Sequence, residues 1–456
     1  MKREVFKAYD VRGLYPEELD PAGALAIGRS LARFLRASSL VVGRDMRASG
    51  VPLRDALAAG LRSEGVEVID IGRVSTPMTY FAVQRLGTSG GAMITASHNP
   101  GAYNGIKLCG QAAVPIGLDS GLAAIRDVAL GLAGQPAGKP RAGERVEDPR
   151  PAYYAALLEL FPARPRLRVV IDAGNGMGGE AIEGLLSALP LEVTRMYFEP
   201  DGSFPNHEAD PLNPENVRDL QREVRARSAD LGVAFDGDAD RVFFVDEQGE
   251  RVPADLMTAL FATTILEHGL LGARPGSPIL YDLRSSRVVA ETVTALGSKP
   301  VRGRVGHAYM KQRMRETRAC FGGELSGHYY FNFPAGYIAD DGAAAFMLAL
   351  QALELGAKPL SALLRPFRRY VQSGELNSRV ADVSATLARV RSAYAAGQAD
   401  ELDGLSVSFP DWWFNLRPSN TEPLLRLNVE APSEREMCAH RDRILALLAP
   451  GSAHQP

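Results

Sequence analysis

ADLGVAFDGDADRVFFVDEQGE, residues 229–250, is the stretch on which the fold turns. Asp236, Asp238 and Asp240 alternate directly after an apolar run. Carboxylates this close repel one another and raise each other's pKa, a cost that a hard divalent cation removes because it prefers oxygen ligands. With Asp236 as position 1, the acids, Glu247 included, fall where an EF-hand loop wants them. But Arg241 stands where that loop needs glycine, and the flanks LGVAF and VFFVD have the pattern of strands, not helices. The EF-hand is excluded. A strand-flanked triple-Asp loop suits Mg²⁺, which keeps waters and shares its sphere with a substrate phosphate.

Working outward, the strand at 229–237 is one of many. SLVVGRD (39–45), VEVIDIG (66–72), LRVVIDAG (167–174), LEVTRMYFE (191–199) and SPILYDL (277–283) read as strands. VPLRDALAAGLRSEG (51–65), GGEAIEGLLSAL (178–189) and SSRVVAETVTALG (285–297) read as helices. This rhythm predicts α/β layers with helices on both sheet faces and ligands at the carboxyl ends of strands. It recurs three times at roughly 100-residue spacing, before a last segment of different pattern. The expected domains are 1–148, 149–250, 251–366 and 367–456, the first break falling in the Gly/Pro-rich stretch 131–151.

Bulk composition narrows the function classes. Of the 456 residues, 46% are hydrophobic and 23% charged, as in an ordinary globular protein. The net charge of -3 offers no basic field for nucleic acid or an anionic membrane. No apolar run approaches the ~20 residues of a membrane span, and MKREVFKAYD lacks the apolar core of a signal peptide. Cys109, Cys320 and Cys438 are few and far apart, so neither a disulfide framework nor a zinc site is expected. A cytoplasmic protein, monomer or homodimer, is the expectation.

Four further motifs bear on chemistry. GAMITASHNPGAYNGIKL (91–108) runs from an apolar strand into Ser97, His98 and Asn99, with Lys107 close behind. A serine beside a magnesium loop suits phosphoryl transfer, in which positioning and charge neutralisation supply most of the catalysis. GGELSGHYYF (322–331) alternates Glu324, Ser326 and His328; in an extended segment these share one face and can bond sugar hydroxyls. NLRPSNTEPLLRL (415–427) gathers Arg417, Ser419, Asn420 and Thr421, the equipment of a phosphate cradle. Gly174–Gly179 satisfies G-x-G-x-x-G, with Glu199 in the place of a ribose-binding acid. A tight strand-to-helix turn explains that match better, because an NAD-dependent oxidoreductase would leave the Ser97 and triple-Asp loops without work. Walker A and kinase signatures are absent.

TASHNP (95–100), DGDADR (236–241), GELSGH (323–328) and RPSNTEP (417–423) occur in the order and approximate spacing of one family. Through them the chain resembles the α-D-phosphohexomutases, most of all the bacterial phosphomannomutase/phosphoglucomutase branch, over nearly its whole length. The resemblance implies three similar α/β/α sandwich domains plus a smaller C-terminal α+β domain, TATA-binding-protein-like, around a central cleft. It implies a mutase that interconverts hexose 1-phosphate and hexose 6-phosphate, of mannose and/or glucose. The route would be a phosphoserine enzyme and a hexose 1,6-bisphosphate, which also serves as activator.

By the same resemblance, Ser97 is the phosphorylated serine and joins Asp236, Asp238 and Asp240 as a Mg²⁺ ligand. Arg241 stands near the transferring group and His98 beside the serine. Lys107 and His328 are expected to give general acid/base assistance. Glu324 and Ser326 read the sugar hydroxyls, and Arg417, Ser419, Asn420 and Thr421 hold the non-reacting phosphate. Tyr9, Arg12, Arg284 and His307 match further cleft positions. The chain departs from the family pattern at Ala239 (usually Gly), Leu325 (commonly Met) and Arg284 (often Lys). The nearest alternative is a phosphoglucosamine mutase, which usually has Gln and Gly where Leu325 and Asn420 stand here. A sugar-phosphate binding protein without catalysis is a third.

Overall fold

The computed structural model describes residues 1–136, 138–418 and 424–448. Four sheets carry the architecture. In the first, the strands Ser39–Arg44, Glu67–Arg73, Gly90–Ile94 and Glu144–Val146 are parallel. Tyr103–Gly110 then runs back along Gly90–Ile94, and Val11–Leu14 closes that edge. Both faces are buried. Leu40 and Val42 enter one core with the helices Pro21–Leu35 and Gly50–Ser63, while Val41 enters another with Thr76–Arg85. That near-continuous apolar pattern is what a two-face-covered parallel strand requires.

The second sheet orders Val242–Val245, Leu231–Phe235, Arg168–Asp172 and Glu192–Met196. The third orders Lys299–Gly303, Pro278–Asp282, Phe321–Gly323, Tyr329–Phe333 and Tyr337–Asp340. The fourth is antiparallel throughout, built on the long strand Leu424–Ala431 beside Trp413–Pro418. Its core, with the helices Val383–Ala393 and Glu434–Leu448, is separate from the others. By contrast one continuous core runs through the second and third sheets and one face of the first.

One feature repeats in the first three sheets and places the site. A parallel strand turns back at its carboxyl end into an antiparallel neighbour. The turns are 95–102 after Gly90–Ile94, 236–241 after Leu231–Phe235, and 324–328 after Phe321–Gly323. The three α/β units are thus repeats in topology, and the same hairpin carries the chemical motif in each. No single helix among the described residues is long and apolar enough to cross a membrane.

Candidate active site

The three turns meet. Ser97 Oγ donates to Asp236 Oδ2 at 2.8 Å, and Arg241 Nε donates to the same oxygen at 3.0 Å. Lys107 Nζ lies 2.6 Å from both Asp238 Oδ2 and Asp240 Oδ2. Every one of these residues is buried. The turns touch through backbone as well: a Cβ on Gly237 would fall 2.3 Å from the Ser97 carbonyl, so only glycine permits this approach. Val242 N donates to Gly327 O at 3.1 Å, joining the acidic turn to the Glu324–His328 turn.

Two residues of these turns sit in the left-handed region, Ser97 at φ 50° and Ala239 at φ 60°. A non-glycine residue there costs about 1–2 kcal/mol. Ala239 is the position where the family pattern usually has glycine, so the departure places strain in the acidic turn.

Electrostatics set the protonation states. Burial raises the Asp236 carboxyl, and Asp240 and Asp238 add to the rise against the pull of Arg241. Burial alone would lower the Lys107 ammonium, but Asp238 and Asp240 outweigh it and hold the proton firmly. Burial, with the charges of Arg241 and Arg12, pushes His98 down to about 2, so its ring is neutral; its Nδ1 lies 3.4 Å from Ser97 Oγ. His328 goes the other way: burial would lower it, but Asp240, Asp340 and Glu324 prevail and raise it. Its Nε2 is 3.5 Å from Asp240 Oδ1.

Asp236, Asp238 and Asp240 offer ligand atoms within 4.8 Å of one another. Asp238 Oδ1 and Asp240 Oδ1 are buried without a hydrogen-bond partner. A buried, unpaired carboxylate oxygen is costly. The donor set, all oxygen, fits a hard divalent cation.

The Glu324–His328 segment corrects one expectation. It is the turn of a hairpin, with Glu324 N bonded to His328 O and Gly327 N to Glu324 O, not an extended face. The three side chains converge because the turn folds them together: Ser326 Oγ is 3.0 Å from His328 Nδ1, and Glu324 Oε2 is 3.6 Å from it. Glu324 Oε1 accepts from Gly306 N at 2.7 Å, fixing the start of the helix His307–Thr317. His307 Nδ1 is buried without a partner, and Tyr9 packs edge-on against that ring. Arg12 Nη1 donates to Asn99 Oδ1 at 2.6 Å, so it braces the serine turn.

From this turn the polar chain reaches the fourth domain. Leu325 N and Arg284 Nη2 both bond Asp282 Oδ2, at 2.8 and 2.9 Å. Arg284 Nη1 lies 3.8 Å from Glu375 Oε2, which accepts from Arg417 Nη2 at 3.0 Å. Ser419, Asn420 and Thr421 lie outside the described residues. All the other expected site residues line one connected network. Sequence reading missed four members: Thr76, whose Oγ1 donates to Asp238 Oδ2 at 2.6 Å; Arg47; Glu375; and Asp340, with Lys311 Nζ 2.6 Å away, too poorly angled to hydrogen bond. The S-T-P start of the helix Thr76–Arg85 is the one local signal that could have pointed to Thr76, and nothing local marks the rest.

The Gly174–Gly179 turn is not a nucleotide cradle here. Met177 N donates to Gly237 O, and a Cβ on Gly176 would press on that same carbonyl at 2.7 Å. The glycines bring a helix start up against the acidic turn and support it.

Four domains with a serine, an acidic metal-type loop and cationic side chains on facing turns define an α/β enzyme of phosphoryl transfer. Family models describing phosphoglucomutase/phosphomannomutase match in chain order: α/β/α domain I over residues 3–129, domain II over 152–249, domain III over 253–370 and the C-terminal domain over 375–447. A phosphomannomutase of Salmonella typhimurium is 41% identical, covering 98% of this chain and 99% of its own. An enzyme of Xanthomonas campestris described under phosphohexose mutases is 40% identical, covering 99% and 100%. A solved phosphoglucomutase/phosphomannomutase family protein of Burkholderia thailandensis superposes with a TM-score of 0.90 at 32% identity, covering 100% and 99%. The chain belongs to the phosphoglucomutase/phosphomannomutase family, and its activity is that of a hexose-phosphate mutase, an isomerase of carbohydrate metabolism.

Proposed function

We propose that this mutase acts on mannose and/or glucose phosphates through phosphorylated Ser97, with Mg²⁺ as its metal and a hexose 1,6-bisphosphate as intermediate and activator. The observation that carries the reading is Ser97 Oγ, 2.8 Å from Asp236 in a fully buried acidic turn. Asp236, Asp238 and Asp240 would hold the ion. When bound, Mg²⁺ supplies positive charge against the oxygens of the transferring phosphoryl group.

The chain's own residues do the rest. Arg241, on the carboxylate that accepts from Ser97, and Lys107, on Asp238 and Asp240, bring fixed positive charge to this buried site. In the first transfer, a sugar hydroxyl attacks the phosphorus of phospho-Ser97. The new P–O bond forms as the serine P–O bond breaks; the sugar hydroxyl proton leaves to a neighbouring base and the departing Ser97 oxygen takes up a proton to become a hydroxyl again, movements that the second transfer reverses. His328, linked to Ser326 and Glu324, stands among the groups expected to bond sugar hydroxyls and is our choice for that proton. Lys107, held by Asp238 and Asp240, is our choice to assist with the proton that the departing oxygen takes up. In the second transfer the bisphosphate, turned end for end, returns its other phosphate to Ser97. Arg417, with Arg284 behind it, would grip whichever phosphate is not reacting.

The test is direct. After incubation with glucose 1,6-bisphosphate, mass spectrometry of the peptide containing Ser97 should show one added phosphate. Turnover of mannose 1-phosphate and glucose 1-phosphate should require added Mg²⁺. A chain that never carries phosphate at Ser97 would end this reading. Comparing kcat/KM for mannose, glucose and glucosamine 1-phosphates decides between this branch and a glucosamine mutase.

A further inference from the structure

Arg47, three residues past the first-sheet strand Ser39–Arg44, is 1% exposed and contacts none of the reacting atoms. Its guanidinium takes four carbonyls of the serine turn. Nη1 donates to Pro100 O at 2.8 Å and Tyr103 O at 3.0 Å. Nη2 donates to Ser97 O at 2.9 Å and Asn99 O at 2.5 Å. Nε turns away to Asp45 Oδ2 at 3.3 Å, which sets a carboxylate beside the buried guanidinium.

We infer that Arg47 is a positioning residue for the phosphoryl-carrying serine: it clamps the 97–103 turn, holds Ser97 left-handed, and so keeps its hydroxyl on the acidic turn. The inference rests on the reading of Ser97 as phosphate carrier. Three features support it. Ser97 occupies a backbone region that a serine leaves unless held, and the bond from Arg47 falls on that residue's own carbonyl. The same carbonyl lies against Gly237, so a rotation of this peptide would move Oγ off Asp236 and drive the two turns apart. The clamp is also closed from the second domain. The Phe204 ring covers the guanidinium at 5.2 Å, and a Cβ on Gly202 would fall 2.8 Å from Arg47 Cα. Only a planar fork of five donors can serve four carbonyls and a carboxylate at once; a lysine offers three donors from one point.

The experiment uses the full chain carrying Arg47→Lys or Arg47→Ala. Misplacing a reacting group by about 1 Å costs on the order of 10²-fold in rate. Arg47→Lys should therefore lower kcat, and the rate at which Ser97 takes phosphate from glucose 1,6-bisphosphate, by about 10²-fold. KM for the hexose phosphate should stay within about threefold, because the phosphate grip lies in other domains. Arg47→Ala should behave likewise and regain part of its kcat with millimolar guanidinium, a rescue that a general loss of folding would not show. An Arg47→Lys enzyme with kcat within threefold of the parent, or with KM rising in step with the loss, overturns the inference. Should both variants fail to fold, Phe204→Leu loosens the cover without removing the arginine. It should cut kcat several-fold at constant KM, and an unchanged kcat there also overturns it. A parent enzyme that never phosphorylates Ser97 instead overturns the mutase mechanism, which separates the two failures.

Discussion

The two ends of the polar network are built differently. Around Ser97, Asp236, Asp238, Asp240, Lys107 and Arg241 every group is buried, and backbone contacts too close for a Cβ lock the turns together. Around Arg417 the partners are Glu375, with 28% of its side chain exposed, and Asp403, with 17%, and Glu375 is shared with Arg426, with 37%. The first end lies against a core shared by three domains. The second sits on a domain with its own core, joined to the third by polar contacts such as Arg287 to the Phe409 and Pro410 carbonyls and Arg302 to Asp400. Polar interdomain contacts of this kind allow one domain to move against another. The difference teaches a division of labour: chemistry needs one rigid geometry, whereas a site that must grip either phosphate of a turning sugar needs groups that can let go.

The largest effect should come from the rigid end. Asp238 Oδ2 takes bonds from Thr76 and Lys107 while its Oδ1 stands unpartnered. Asp238→Asn keeps the shape and removes one charge. We expect kcat to fall by about 10²–10³-fold, the usual worth of one well-placed electrostatic group. KM should change less than about threefold, and more Mg²⁺ should be needed for half-maximal rate. Steady-state kinetics across a magnesium titration checks this. A KM rise as large as the kcat loss would erase the contrast between the ends.

Arg417→Ala tests the other end and should invert the signature. A bidentate charged contact to phosphate is worth about 1.5–3 kcal/mol. That converts to a KM increase of about 10–100-fold with kcat changed only a few-fold. A variant with both constants unchanged would remove Arg417 from the phosphate grip.

The same contrast explains what could be read without coordinates. The rigid end was legible because its residues cluster locally. DGDADR and TASHNP each pack several functional groups into a few positions, and flanking continuous apolar runs place them on turns between strands. The α/β rhythm placed the quoted strand and helix segments to within two residues, except that the strand expected over 191–199 ends at Met196, because both-face burial writes itself as continuous apolar runs. Glu324, Ser326 and His328 were found for their proximity, yet their geometry was misjudged. Gly327, at φ 84°, closes the turn that brings them together, and alternation alone does not reveal such a turn. Arg47, Thr76, Glu375 and Asp340 stayed hidden for a different reason. Each meets its partner only across domains or after a long chain excursion, and an isolated arginine or threonine carries no pattern. Ala239 was noticed as a departure, but its cost appears only with its backbone angle.

The smallest effect probes the adjustable end most sharply. Glu375 follows Gly374, at φ 68°, between the short strands Val371–Gln372 and Leu376–Arg379. Its carboxylate bonds Arg417 at 3.0 Å and Arg426 at 3.2 Å and stands 3.8 Å from Arg284. Two roles are open to such a group. If it aims Arg417, losing its charge should weaken the grip on substrate. If it competes with phosphate for the same guanidinium groups, losing its charge should strengthen that grip. The competing role fits the arrangement better, because the two arginines beside it surround one carboxylate, and an incoming phosphate dianion must take over some of those donors. A partly exposed ion pair is worth about 0.2–1 kcal/mol, so Glu375→Gln should lower KM by up to about fivefold. The gain should shrink as salt is added and screens the pair. Where release limits turnover, kcat should fall slightly as binding tightens. Measuring KM for the parent and for Glu375→Gln at low and high ionic strength distinguishes the two roles. A KM that rises at low salt would make Glu375 a guide for Arg417, and the adjustable end would then be less a point of exchange than a second fixed frame.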